Sequence, residues 1–155
     1  MTNENGPIRR IGEDTFENLL RDEEKELLLI LPDLVEEAIL MNSPYVTRLF
    51  PPTYPFDDSA QNIIERATTK SLAEKHIELL TCFAKTLNKA TLSTSDVVVW
   101  TGAINDIRLL MGTALDVCED MDLPKEDDPR FEDFVIYNYL SWLQSSLLEF
   151  LANDL

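Results

Sequence analysis

Apolar side chains recur every three or four residues between positions 94 and 115, and this spacing constrains the fold more than any other feature of the sequence. Such a repeat places the apolar side chains along one face of an α-helix. The repeat consists of Val97, Trp100, Ile104, Ile107, Met111 and Leu115. Ser93, Thr94 and Asp96 precede it and are residue types that cap helix N-termini. We therefore predict an amphipathic helix that needs other elements to cover its apolar face.

Four other stretches show helical spacing. Asp22 can cap a helix whose apolar stripe we expect to pack inwards, and Pro32 should kink or divide that helix. Further helices are predicted from about residue 58 to 66, from 71 to 88 and from about 130 to 152. The stripe after Asp22 comprises Leu27, Leu28, Leu31, Leu34, Val35 and Ala38. The last helix is apolar on most sides, which is typical of a helix at the centre of a bundle or at an interface.

The remaining segments complete the predicted architecture. Residues 1–7 are expected to form a disordered tail, and residues 8–20 could form a short β-hairpin. The prolines of residues 42–58 argue against a regular helix there. The sequence holds only four glycines, which favours helices over a turn-rich β fold. We predict a mainly α chain, a bundle of four or five helices with a possible N-terminal hairpin, forming one domain over residues 8–155.

The charge of the chain narrows the classes of partner. Thirteen Lys and Arg residues stand against twenty-nine Asp and Glu residues, so the formal net charge is -16. A surface of this sign repels phosphates and anionic lipid headgroups, which disfavours direct binding to nucleic acids or membranes. No apolar run reaches the length of a membrane span, and no secretory signal precedes the domain. These features predict a cytoplasmic protein whose partner is another protein.

The sequence shows no recognisable catalytic constellation. It has one histidine, His76, on the apolar stripe of its predicted helix, where we expect a packed side chain with one hydrogen-bond partner. Its glycines are too far apart to form a phosphate-binding loop, and no metal-ligand spacing is present. We therefore expect no cofactor, no metal and no enzymatic activity. An enzyme with a carboxylate site that leaves no motif is an alternative, and two acids of perturbed pKa in one cleft would be its signature.

The two cysteines offer a second alternative, a thiol-based redox sensor. Cys82 shares a predicted helix face with lysines, which favour the thiolate, whereas Cys118 is surrounded by acids, which raise a thiol pKa. A disulfide between them requires their Cα atoms to lie within about 7 Å. The competing interpretation is that both thiols are inert.

A polar edge on the helix at 94–115 is the candidate partner-binding surface. Asn105 and Arg108 line up along this edge, with Asp106 adjacent. One interpretation is a set of hydrogen bonds between helices of the same bundle. The other is a docking groove shared with Trp142 and Gln144, in which Arg108 binds a carboxylate. Exposed apolar residues on the last helix could also form a homodimer.

Several segments together resemble a known family. They are Ala103-Ile104-Asn105-Asp106-Ile107-Arg108-Leu109, Gly112-Thr113, Tyr139-Leu140-Ser141-Trp142-Leu143-Gln144-Ser145-Ser146-Leu147, and Arg48-Leu49-Phe50-Pro51-Pro52 with Tyr54-Pro55. The chain is similar in these segments to an uncharacterised actinobacterial domain-of-unknown-function family, from about residue 20 onwards.

The resemblance implies a regulatory role. The family includes proteins described as actinomycete oxidative-stress regulators, which sense redox state through a close cysteine pair and engage a stress sigma factor. By this resemblance the chain would modulate stress-response transcription through a sigma factor or another transcription component. The chain differs in one respect, because Cys82 and Cys118 are far apart in sequence.

Overall fold

The computed structural model describes residues 6–50, 59–118 and 121–153, in which four α-helices and one 3-10 helix pack beside a small antiparallel sheet. The elements are β1 (Ile8–Gly12), β2 (Thr15–Asn18), α1 (Asp22–Leu40), the 3-10 helix (Pro44–Leu49), α2 (Ser59–Thr86), β3 (Thr91–Leu92), α3 (Thr94–Ala114) and α4 (Phe131–Ala152). The predicted mainly α architecture is confirmed. Residues 1–5 of the predicted tail and residues 51–58 of the proline-rich loop lie outside the described residues.

The predicted N-terminal hairpin is confirmed and gains a third strand. β1 and β2 pair antiparallel, and β3 adds to β2 with Phe16 opposite Leu92. Ile8, Phe16 and Leu92 are fully buried or nearly so, and the Phe16 ring meets the edge of Phe150 on α4. The sheet thus covers one end of the helical core.

Asn18 fastens this sheet to the end of α2. Its Nδ2 donates to the carbonyl oxygens of Leu87 and Lys89, both at 2.9 Å, and its backbone N–H donates to Ala90 O. The last carbonyls of a helix have no partner within the helix itself. One side chain from β2 therefore satisfies carbonyl groups just beyond the end of α2.

α3 is the central helix, as its apolar spacing predicts. Trp100, Ile104 and Ile107 are buried, and α3 packs against α1, α2, α4 and the 3-10 helix. The Trp100 ring meets the edge of Phe83 at 5.6 Å between centroids, and its Nε1 donates to Thr86 Oγ1 at 2.7 Å. A buried indole N–H without such a partner would carry a desolvation cost.

α1 differs in detail from its prediction. Its N-cap is Arg21 and not Asp22, and the Glu24 carboxylate accepts the Arg21 backbone N–H at 2.8 Å. Pro32 lies inside the helix, buried, without dividing it. Leu34 was expected on the packed stripe, yet half of its side chain is exposed, while Leu28, Leu31 and Val35 are buried. The stretch Leu27 to Leu31 is apolar on every side, so periodicity alone did not decide which side faces the core.

Two predictions between residues 42 and 88 are wrong. Residues 44–49 form a 3-10 helix, because Ser43 caps the N–H of Tyr45 and Pro44 occupies the first turn, where its missing N–H costs nothing. The two helices expected at 58–66 and 71–88 are the single helix α2. The intervening Thr68 and Thr69 lower helix propensity but do not break a helix as proline does.

The cap of α3 sets its starting point. Ser93 Oγ accepts the Asp96 N–H, and the Asp96 carboxylate accepts the Ser93 N–H, which is the predicted capping box. We expect Ser93→Ala to lower the free energy of unfolding by about 1 kcal/mol, because the backbone N–H of Asp96 loses its acceptor. Urea unfolding followed by circular dichroism measures this change. Ser93→Asn retains an acceptor and should stay close to wild type; equal losses in both variants would contradict the role of the cap.

Candidate functional site

Arg108 on α3 lies against two polar side chains of α4. Its Nε donates to Ser141 Oγ at 3.0 Å, and its Nη1 donates to Gln144 Oε1. Gln144 Nε2 donates in turn to Asn105 Oδ1 at 3.2 Å. The structure therefore brings Asn105, Arg108 and Gln144 together as one network between α3 and α4, which we call the interhelical network and to which Ser141 also belongs.

Tyr137 closes one side of the interhelical network. Its carbonyl accepts the Ser141 hydroxyl at 3.1 Å, and the Arg108 guanidinium lies 5.5 Å from its ring centre. The ring also packs onto Gly112, where an added Cβ would come within 3.3 Å of it. Glycine at this position is what lets the tyrosine ring approach the α3 backbone. The donors of Arg108 are thus directed at groups of its own chain.

Trp142 and Asp106 do not join the interhelical network. The Trp142 side chain is 45% exposed and packs on Tyr139 of the same helix, with 6.0 Å between ring centres. The Tyr139 hydroxyl donates to Glu24 Oε1 of α1 at 3.0 Å. Burial, with the Glu24 carboxylate beside it, raises the pKa of Tyr139. Trp142 is therefore the predicted partner-binding residue that is most open to another molecule.

Asp106 turns instead towards α2, where it meets His76. Asp106 Oδ2 lies 2.7 Å from His76 Nδ1, and His76 Nε2 lies 2.9 Å from the carbonyl oxygen of Leu49. The Phe50 ring meets the imidazole at 5.7 Å, nearly edge to face. The prediction of one hydrogen-bond partner for His76 is wrong, because the imidazole joins α3, α2 and the end of the 3-10 helix.

The chemistry of these two bonds fixes where one hydrogen lies. A carbonyl oxygen only accepts, so His76 Nε2 must carry a hydrogen and donate it to Leu49. Asp106 is buried, and desolvation raises its pKa although the bond to His76 opposes the rise. The Asp106 carboxyl therefore holds its proton more tightly in the folded chain than in the unfolded one. A protonated carboxyl can donate to Nδ1 across the 2.7 Å contact.

The two cysteines lie at opposite ends of α3. Cys82 belongs to the last turns of α2, one residue before the Phe83 that packs on Trp100. Cys118 follows the end of α3, and the helix from Trp100 to Ala114 alone rises about 20 Å. Both thiols are exposed and free. A bridge within one chain would need a Cα separation of about 7 Å, so this geometry does not favour one.

No cluster of ligands or acids converges elsewhere in residues 6–50, 59–118 and 121–153. Those residues contain no group of three His, Cys, Asp or Glu side chains able to hold a metal ion. Among residues 6–50, 67–118 and 121–153, Asp106 is the sole buried carboxylate. An open cleft of about 730 Å³ lies beside the hairpin turn, but Asp14 on its wall already accepts the Thr94 N–H at 3.0 Å. No helix in the described part of the chain has the length and apolar character that a membrane crossing needs.

Comparison with known proteins assigns the family. The family model described as Domain of unknown function (DUF2017) matches residues 4–151. The chain belongs to the DUF2017 family. No curated protein and no solved structure matches it. The family assignment therefore carries no activity with it, and the function of this DUF2017 chain is argued from its surface.

The outer side of α1 is the surface that the sequence did not reveal. It exposes large apolar side chains from the middle of the helix to its C-cap, and we call this set the α1 apolar face: Leu29, Ile30, Leu34, Leu40 and Met41. Ile30 is 60% exposed and Met41 73%. The signal was present in the unbroken apolar run before Pro32, which supplies more apolar side chains than one buried stripe can use.

The interhelical network should contribute to stability. Arg108→Met retains the aliphatic stem but removes the donors to Ser141 and Gln144, so we expect a loss of about 1–3 kcal/mol in the free energy of unfolding. Arg48→Met is the matched control, because Arg48 is exposed on the 3-10 helix of the DUF2017 chain. Its change should stay within about 0.5 kcal/mol. Equal urea midpoints for both variants would argue that the network bonds are not formed in solution.

The raised pKa of Asp106 should make stability depend on pH. A carboxyl whose native pKa is raised stabilises the fold fully below its unfolded pKa of about 3.9, and this contribution is lost as pH rises through the native pKa. Asp106→Asn keeps a donor for Nδ1 without a titrating group. We therefore expect the stability of wild type relative to Asp106→Asn to fall as pH rises above about 4.

Urea unfolding at several pH values gives this difference directly. Asp127→Asn is the control, because Asp127 is exposed in the loop before α4 and its replacement should leave the difference nearly flat. A flat curve for Asp106→Asn as well would contradict a raised pKa of Asp106 in the folded chain.

Proposed function

We propose that this DUF2017 chain is a non-enzymatic regulatory protein that acts by binding another protein. The observation that carries the proposal is the α1 apolar face, five large apolar side chains exposed along one helix and its C-cap. Single exposed apolar residues are ordinary on protein surfaces, whereas five on one helix and its C-cap, three of them in the row Ile30, Leu34 and Met41, indicate a site of interaction. The face is therefore the first candidate for the contact with the partner.

Trp142 is a second candidate contact, and the interhelical network is not. Exposed tryptophans are enriched among the residues that dominate binding energy at interfaces. Arg108, in contrast, is half-buried, and its bonds to Ser141 and Gln144 hold the guanidinium between α3 and α4. Of the predicted partner-binding residues we therefore retain Trp142 for the contact itself.

The kind of partner that we propose is a component of the transcription machinery, such as a stress sigma factor, in a cytoplasmic setting. Two considerations support this. The segments around Asn105 and Trp142 resemble those of an actinobacterial family with oxidative-stress regulators, and the net charge of -16 makes a protein a better partner than DNA itself. The chain would then regulate transcription by binding a protein, without binding nucleic acid itself.

Cross-linking in native cell extract, followed by affinity purification and mass spectrometry, tests the proposal. The double variant Ile30→Ser with Leu34→Ser removes apolar surface without touching the core. We expect at least one protein recovered with wild type to fall about tenfold or more with this variant, because each exposed contact is worth about 1 kcal/mol or more once covered. A sigma factor among the lost proteins would support the transcriptional role.

Val98→Ser is the control, because Val98 is 52% exposed and belongs to a different helix, α3. It should retain every partner of wild type. Identical sets of proteins for wild type, the double variant and the control would remove the α1 apolar face from the proposal and leave the protein-binding role without its main support.

A further inference from the structure

We propose that the α1 apolar face receives an amphipathic helix whose apolar side is flanked by lysines or arginines. The inference rests on the proposed function and adds the chemistry of the partner segment. The row that would receive it is long and narrow: Ile30 and Leu34 are one turn apart, and Met41 lies seven residues further on. From Ile30 to Met41 the helix rises about 16 Å. A partner helix of about three turns matches that length with side chains spaced by three and four residues.

Carboxylates run along one side of the row Ile30, Leu34 and Met41 and separate it from Leu29 and Leu40. Glu26, Asp33 and Glu37 are exposed, and helical spacing puts each of them three or four residues from Ile30 or Leu34. None of the three forms an ion pair within the described ranges of the chain. Between residues 26 and 47 the sequence contains no Lys, Arg or His. Water therefore solvates these carboxylates. A partner that covers the face must replace this water with hydrogen-bond donors or positive charges of its own.

These carboxylates determine which kinds of partner can cover the α1 apolar face. A second copy of the chain would bring another charge of -16 and set carboxylates against carboxylates, which costs free energy. An anionic membrane surface would be repelled in the same way. An uncharged apolar helix would cover the face but leave the carboxylates partly desolvated and unpaired. A helix with basic residues beside its apolar stripe satisfies both the apolar side chains and the acids.

Fluorescence anisotropy with a labelled leucine–lysine peptide tests the inference on the intact protein. The peptide has about 18 residues, with leucines spaced by three and four so that they form one apolar stripe. A scrambled peptide of identical composition has the same charge and no stripe. We expect the patterned peptide to bind wild type at least about tenfold more tightly than the scrambled one. Equal affinities would mean general attraction between opposite charges and would overturn the inference.

Two charge variants locate the binding site. Asp33→Asn with Glu37→Gln removes two carboxylates beside the face, and Glu132→Gln with Asp133→Asn removes the same charge from the first turn of α4. We expect about a tenfold loss of affinity for the first pair and less than about twofold for the second, since only the first pair belongs to the helix that the peptide would cover. Equal losses would overturn the assignment to α1.

The Ile30→Ser, Leu34→Ser variant separates this inference from the proposed function. Loss of the patterned peptide with this variant supports the inference, and unchanged binding overturns it. If peptide binding is unchanged in this variant while cross-linking of a cellular protein is lost, the inference of a basic partner helix is wrong and the proposed protein-binding function stands. If neither depends on the face, both proposals fail.

Discussion

The burial of α3 is the interaction on which the rest of the structure depends. Trp100, Ile104 and Ile107 are covered from several directions at once, so the other elements take their positions from this one helix. The polar side chains of α3 are placed by the same packing. Arg108 is turned towards α4 and Asp106 towards α2, because each borders the buried stripe on a different side. The two polar sites are thus consequences of how the core forms.

Local patterns predicted the parts of the fold that depend on local causes. The spacing of Trp100 and Ile104 and the cap at Ser93 predicted α3 almost to the residue, and the final helix begins within one residue of its predicted start. β3 was missed because a two-residue strand carries no pattern of its own and exists only where β2 offers a partner. The continuity of α2 was missed because Thr68 and Thr69, which are weak helix formers, lie between the two stretches that were predicted as separate helices.

The candidate sites also differ in how much of them the sequence could predict. Helical spacing along α3 and α4 identified Asn105, Arg108 and Gln144, which do meet, but it could not show that their bonds satisfy one another. The bond between His76 and Asp106 joins residues thirty positions apart, and no pattern within either helix encodes it. The α1 apolar face was hidden for a third reason. An abundance of leucines predicts a buried helix, whereas only the positions of the neighbouring elements determine which leucines remain outside.

Asn18 has a consequence for the order in which this chain acquires structure during synthesis. The ribosome makes Asn18 long before Leu87 and Lys89, whose carbonyl oxygens accept hydrogen bonds from its side-chain amide. A two-stranded hairpin alone is only marginally stable in water. We therefore expect β1 and β2 to become stable only after the end of α2 and β3 have left the exit tunnel, when Asn18 gains its carbonyl partners and β2 its second neighbour. The first part of the chain to be made thus depends on its middle for its structure.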